Sequence, residues 1–408
     1  MYVSTMLILT IIVFLLILGI IVCIHEFGHF IVARRAGVLV EEFGLGMPPR
    51  AIGVQRIKGK WEIIMGNRHP HDITHTIYSL NWLPLGGFVK LYGDGAGGEG
   101  GDIDPKYASL AFEHKNVWAR AAVMVAGVTM NVLLAAVIYY FLLAKSGFVS
   151  DRIPLIGSPR FVFGSMVQSI AAIEVKENSP AARAGIKKED VILRVKPVKA
   201  SEWVAIAKPS DLITEVKKNN GNPVMVELKD FTSGAMRTVT VTPQFDAKEK
   251  RAMIGVSLAN LVQIRYDKPH EKLLACFMHS YNLTTYNVQL VGTIVSYAFE
   301  SKQPQLVGDA VSGPVAIGSV VGDTLRKSGD KVFDNLLNLA ALISLSLAFM
   351  NILPIPALDG GRLMILLPEM FLRKKVPKNV ERYINVVGFV LLMALSVLIT
   401  VKDIIRAL

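Results

Sequence analysis

Long uninterrupted apolar stretches, rather than alternating or helical-period patterns, dominate the hydropathy profile of this chain. Four of them, at roughly 5–33, 119–143, 334–356 and 381–401, are long enough to cross a bilayer as helices. A fifth stretch at about 272–299 is weaker, because His279, Tyr281, Asn282, Thr284, Thr285, Asn287 and Gln289 fall near its middle. That mixture predicts an amphipathic helix lying on a membrane or on protein, not a lipid-exposed span. Between spans one and two, β-branched and aromatic runs such as Trp61 to Met65 and Phe88 to Tyr92 are punctuated by Gly44, Gly46, Pro48, Pro49, Gly86 and Gly87. These predict short strands and turns in residues 37–118. Alternation at Val224 to Leu228 and Thr238 to Thr242 predicts a soluble β-rich domain over about 168–245.

Composition agrees with a polytopic membrane protein: 52% of the 408 residues are hydrophobic and 19% charged. The net charge of +11 does not indicate a nucleic-acid binder, since the basic residues cluster beside the apolar spans. Arg34, Arg35, Arg50, Arg56, Lys58, Lys60 and Arg68 follow the first span, and Arg373, Lys374, Lys375 and Lys378 precede the last. Both loops are therefore expected on the cytoplasmic side. Residues 144–333 then fall outside, with both termini; Lys402 and Arg406 run mildly against this orientation. The first apolar run has no basic leader or small-residue cleavage site and is expected to be retained as a span. Two distant cysteines, Cys23 and Cys276, imply no disulfide scaffold.

One motif interrupts the first span. Residues 5–24 carry no charge, and then His25-Glu-Phe-Gly-His29 places three ionisable groups at membrane depth. Such groups are costly there and by default functional. On a helix His25 and His29 are one turn apart, about 6 Å along the axis, so both imidazoles can ligate one Zn²⁺ while Glu26 serves as general base. The other reading is a satisfied buried histidine pair. A catalytic zinc needs a third protein ligand and an open position. NILPIPALDGG, residues 351–361, breaks the third span with two prolines and presents Asp359 before paired glycines. Irregular backbone at membrane depth is tolerated where it is buried in protein or lines a cavity. With four crossings Asp359 returns to the cytoplasmic side, where His25 and His29 lie; a fifth crossing at 272–299 would separate them. Asp359 as a helix cap is the competing role, and the two are compatible.

HEFGH in a first span with NILPIPALDGG in a late one resembles the site-2 protease family of intramembrane zinc metalloproteases, and within it the bacterial regulator of sigma-E protease type. LPLGGFVKLYGD at 83–94, Gly127 to Asn131 and Ser312 to Gly318 also resemble that family, so the likeness covers most of the chain. The resemblance implies His25, His29 and Asp359 as zinc ligands, Glu26 as the catalytic residue, and Asn131 and Asn351 as substrate-backbone partners. Each asparagine could equally bond between helices. Glu177 to Leu193 resembles the helix-and-strand signature of a PDZ domain, in one copy. Such a domain binds peptides by strand addition or acts as a structural lid over the site.

The expected architecture is thus a polytopic α-helical membrane protein with four transmembrane helices, membrane-associated β elements and an inserted extracytoplasmic PDZ-like domain. Its parts are residues 1–36 with the HExxH motif, 37–118, 119–143, 168–245, an outer region 246–333, 334–356, a cytoplasmic loop 357–380 carrying Asp359, and 381–401. His69, His71 and His75 fit no tight metal set and are expected to be solvated; Gly93 to Gly101 reads as a flexible linker. The resemblance implies a bacterial cytoplasmic (inner) membrane enzyme whose partners are the lipid bilayer and single-pass membrane protein substrates already shortened outside, such as anti-sigma factors or remnant signal peptides. Peptide or ectodomain contact at the PDZ-like domain is a further expectation. A zinc transporter and a silent scaffold are the rivals, but neither needs a glutamate between the ligands.

Overall fold

The computed structural model describes residues 2–407 apart from 58, 67–73, 95–102, 157–160, 220, 231–233, 247–250, 304, 306–307 and 309–312. Most of the glycine-rich tract, His69, His71 and Ser312 lie outside the described residues. The chain divides into two units. The first comprises Met1–Leu142, His279–Thr284 and Ile294–Leu408. Its long helices are α1 (Tyr2–Arg35), α2 (Val117–Lys145, ending at the border of the second unit), α7 (Val332–Ile352) and α9 (Lys378–Ala407). All four are long and apolar enough to cross a membrane. α1 and α9 expose Leu7, Ile8, Ile12, Leu16, Phe389, Leu391 and Leu398, an outer surface suited to acyl chains and costly in water.

Between α1 and α2 a three-stranded sheet, ordered β2-β1-β3, is built from β1 (Val40–Ile57), β2 (Lys60–Met65) and β3 (Ile77–Leu91). The strands are longer than the sequence suggests, because β1 bends at Met47 to Arg50 and pairs with β3 on both sides of the bend. One inner cluster fixes the bend: the Arg50 guanidinium and the Ser79 hydroxyl both donate to the Glu42 carboxylate, and all three are buried. Paired and hydrogen-bonded, these charges meet the condition under which a buried carboxylate is tolerated. Phe30, Val40, Leu91, Phe112 and Val123 close the core between this sheet and the helices.

The second unit, Leu143–Met278 with Thr285–Thr293, is built on an antiparallel sheet. Its strands are β4 (Ile153–Pro154), β5 (Ser165–Val175), β6 (Val191–Pro197), β7 (Val204–Ala205), β8 (Val224–Lys229), β9 (Met236–Val241) and β12 (Val256–Arg265). The pair β10 (Gln244–Asp246) and β11 (Arg251–Met253) stands apart. Helices α3 (Pro180–Arg183) and α4 (Pro209–Lys218) complete it, with Ile170, Ile192, Val195, Leu212, Val226 and Leu228 in the core. The expected limits of 168–245 fall short. β12 pairs with β5 from Val256 opposite Val175 to Arg265 opposite Ser165, and it belongs to the middle of the sheet.

Two further differences concern the first unit. The expected loop 357–380 holds a helix, α8 (Asp359–Leu372), and the third span ends at Ile352 rather than 356. Pro354 and Pro356 explain both, since they stop α7 and force a turn from which a new helix starts. In residues 246–333, α6 (Pro314–Lys327) was not foreseen; Gly313 and Ala316 N–H groups at its start donate to Asp403 of α9.

Helix α5 (Pro269–Glu300) is not among the four candidate spans. His279 on it is 5% exposed and packs edge-on to Tyr139 with ring centroids 4.8 Å apart. Burial pushes this imidazole down to about 4. An unfolded chain, titrating near 6.5, takes up a proton that the folded chain refuses, so stability falls as pH drops from about 6.5 to about 4, by roughly 3 kcal/mol at most. Thermal melting in detergent at pH 7.5 and pH 5 should show this loss in the wild type and a smaller one in His279→Leu.

Candidate metal centre

α1 carries His25 and His29 one turn apart on its inner face, and both are buried. α1 and α2 approach closely because Gly28 faces Ala126 O, leaving no room for a side chain. Gly127, the next residue on α2, clears the space beside the imidazoles: a Cβ there would strike His29 Nε2 and lie 2.7 Å from His25 Nε2. Asp359 arrives as the first residue of α8. The turn before it puts Ala357 in the left-handed region at φ 70°, and Gly360 and Gly361 pack directly on the carbonyls of Ile352, Leu353 and Ile355. The paired glycines are thus a steric requirement of folding α8 back over the proline turn.

The three side chains converge. His25 Nε2 is 3.1 Å and His29 Nε2 3.3 Å from Asp359 Oδ2, and the two Nε2 atoms are 3.2 Å apart. Tetrahedral zinc, with bonds of about 2.0–2.1 Å, spaces its ligand atoms about 3.3 Å apart, so this triangle has the size of one face of its coordination sphere. Asp359 Oδ2 is buried with no hydrogen-bond donor aligned on it, which leaves its lone pairs free for a cation. His29 Nδ1 is 2.7 Å from Val123 O. A carbonyl only accepts, so Nδ1 carries the proton and Nε2 offers its lone pair to the centre. The donor set fits a zinc ion held by two imidazoles and a carboxylate.

The remaining predicted residues surround this triangle. Glu26 is half-buried, within electrostatic range of His25, His29 and Asp359, and its Cγ lies beside Gly87 of β3. Asn131 on α2 is fully buried with its amide 3.3 Å from His25 Nδ1, and its backbone carbonyl accepts from Ser344 of α7. The Asn351 amide is 3.4 Å from His25 Nε2. Sequence reasoning missed the Val123 carbonyl, which has no side-chain signature. It also missed the bidentate pair between Arg362 and Asp94, whose members are 268 residues apart.

Residues 13–67 and 69–395 match the sequence profile of Peptidase family M50. The chain is 32% identical over 399 residues to a protein of Clostridium acetobutylicum provisionally named a zinc metalloprotease, covering 97% of each. A provisionally named zinc metalloprotease of Clostridium perfringens is also 32% identical, over 96% of this chain and 97% of that one. The regulator of sigma-W protease of Bacillus subtilis is 26% identical over 97% of this chain and 98% of its own length.

Proposed function

The chain belongs to peptidase family M50 and is a zinc metalloprotease of site-2 type, and from that premise we propose that it cleaves peptide bonds within or beside the transmembrane segments of single-pass membrane proteins. The observation that carries the assignment is the triangle of His25 Nε2, His29 Nε2 and Asp359 Oδ2, with Glu26 on the same helix, α1, as the two histidines. His25, His29 and Asp359 would hold the zinc. Zinc, when bound, lowers the pKa of water toward about 7 and polarises a scissile carbonyl. Glu26 takes the proton of the attacking water and returns it to the leaving amide nitrogen. Asn131 holds the His25 ring through its side-chain amide, 3.3 Å from Nδ1, and Asn351, half-buried at the end of α7 with its amide 3.4 Å from His25 Nε2, is placed beside the metal to meet the substrate backbone.

A helix must be unwound before it can be hydrolysed, and its freed amides then need partners in a dry site. β3 is an edge strand whose Gly87 lies beside Glu26, so strand addition to β3 would hold an extended substrate at the centre. The outward side chains Trp61, Ile63, Met65 and Trp82 of this sheet are exposed and apolar, which suits a sheet resting in the cytoplasmic membrane face. The second unit serves as a PDZ-like domain. In its favour is a cleft of about 220 Å³ between α4 and the strands β11 and β12, lined by Leu212, Ile213, Val216, Ile254, Val256 and Leu258. Outside the membrane it would bind peptide or exclude bulky ectodomains. Substrates are then proteins already shortened outside, such as anti-sigma factors or leftover signal peptides, and cleavage releases a cytoplasmic fragment.

Purified enzyme in detergent should cut a tagged single-pass substrate lacking its ectodomain and spare the same substrate with a folded ectodomain attached. Equal cleavage of both would contradict the size filter; cleavage of neither by zinc-loaded enzyme would contradict the substrate class.

A further inference from the structure

We propose that Asp94 and Arg362 are positioning residues that set the third zinc ligand in place, an inference that rests on the zinc centre assigned above. Arg362 is three residues after Asp359, in the first turn of α8. Its guanidinium grips Asp94 with both prongs, Nη1 to Oδ2 at 3.1 Å and Nη2 to Oδ1 at 3.4 Å. The pair is shielded, with 23% and 17% of the two side chains exposed, so its attraction is less screened than that of a surface pair.

Asp94 is a firm anchor. It sits in the turn that ends β3, where Asp94 N donates to Leu91 O, Tyr92 N to Leu39 O and Phe112 N to Tyr92 O. The body of the same strand lies on α1, with Gly86 against Val22 and Gly87 facing Glu26. One strand therefore registers α1, which brings His25, Glu26 and His29, and at its end holds the helix that brings Asp359. α8 needs such a tie, because only residues 353–358, with their two prolines, connect it to α7. At its other end Glu369 is paired with Arg120 of α2 at 2.5 Å, so ion pairs hold the helix at both ends. Glu381 on α9 is also within electrostatic range of Arg362, and without Asp94 the guanidinium has a competing carboxylate to follow. A small rotation of α8 moves Asp359 Oδ2 out of a triangle whose edges are 3.1–3.3 Å.

The test uses the full-length protein in detergent, with Zn²⁺ affinity from chelator competition and the visible spectrum of the Co²⁺-substituted protein, which reports ligand geometry independently of activity. Asp94→Asn and Arg362→Gln should each weaken zinc binding about tenfold or more and alter the Co²⁺ spectrum at unchanged helix content. The double variant should be no worse than the poorer single one, and Asp94→Glu should recover most of the affinity. If Asp94→Asn does not fold, Arg362→Lys, which keeps the charge and loses the fork, gives the same reading: weaker zinc supports the pair and unchanged zinc overturns it. Wild-type affinity and spectrum in Asp94→Asn and Arg362→Gln, with metal lost in Asp359→Ala, would overturn this inference alone. Metal retained in Asp359→Ala would overturn the zinc centre and this inference with it.

Discussion

Glu26→Gln should retain one zinc per chain and lose peptide cleavage by about a hundredfold to ten-thousandfold, the range set by removing a positioned general base. The substitution is nearly isosteric and Glu26 is not one of the three converging donors, so the triangle of His25, His29 and Asp359 has no reason to change. A glutamine amide cannot take the proton of the attacking water or deliver one to the leaving nitrogen, so both halves of the proton transfer fail together. Zinc content by metal analysis and turnover of a fluorogenic transmembrane substrate check the two statements separately. Turnover within threefold of wild type would remove Glu26 from the chemistry.

Asp359→Ala should release the metal, weakening zinc affinity more than about a hundredfold, beyond what the loss of an outer-shell partner costs. It removes the only carboxylate of the triangle and leaves two imidazoles, a set too small for a stable catalytic site. Activity falls with occupancy, so added zinc should restore part of it in Asp359→Ala and none in Glu26→Gln. That contrast separates loss of metal from loss of base. The same logic predicts that a strong chelator silences the wild type and that stoichiometric zinc revives it.

The three residues of the candidate metal centre were legible in sequence because their signals are local or loud. His25 and His29 declare themselves by helical spacing inside an uncharged run, and Asp359 by two prolines before it and two glycines after it. The four spans were readable for the same reason, since length and apolarity are additive along the chain. What escaped was long-range. β12 completes the second unit's sheet by pairing with β5, a partner about ninety residues earlier, and no local pattern in 246–265 marks that register. α8 was legible only in part: reading Asp359 as a cap implies a helix after it, while Pro354 and Pro356 made 357–380 read as a loop, although they only turn the chain before that helix. The supports of the centre are of two kinds that sequence reading does not reach: a backbone carbonyl at Val123, and an ion pair between Asp94 and Arg362 that exists only once β3 and α8 are folded together.

The central claim is hydrolysis inside a membrane segment by the zinc centre on α1. Mass spectrometry of the products of a truncated single-pass substrate, incubated with zinc-loaded wild type and zinc-loaded Glu26→Gln, tests it most directly. The account predicts a cut within the apolar segment by the wild type and intact substrate with the variant. A cut confined to the polar flanks, or the same apolar cut by both proteins, would contradict it.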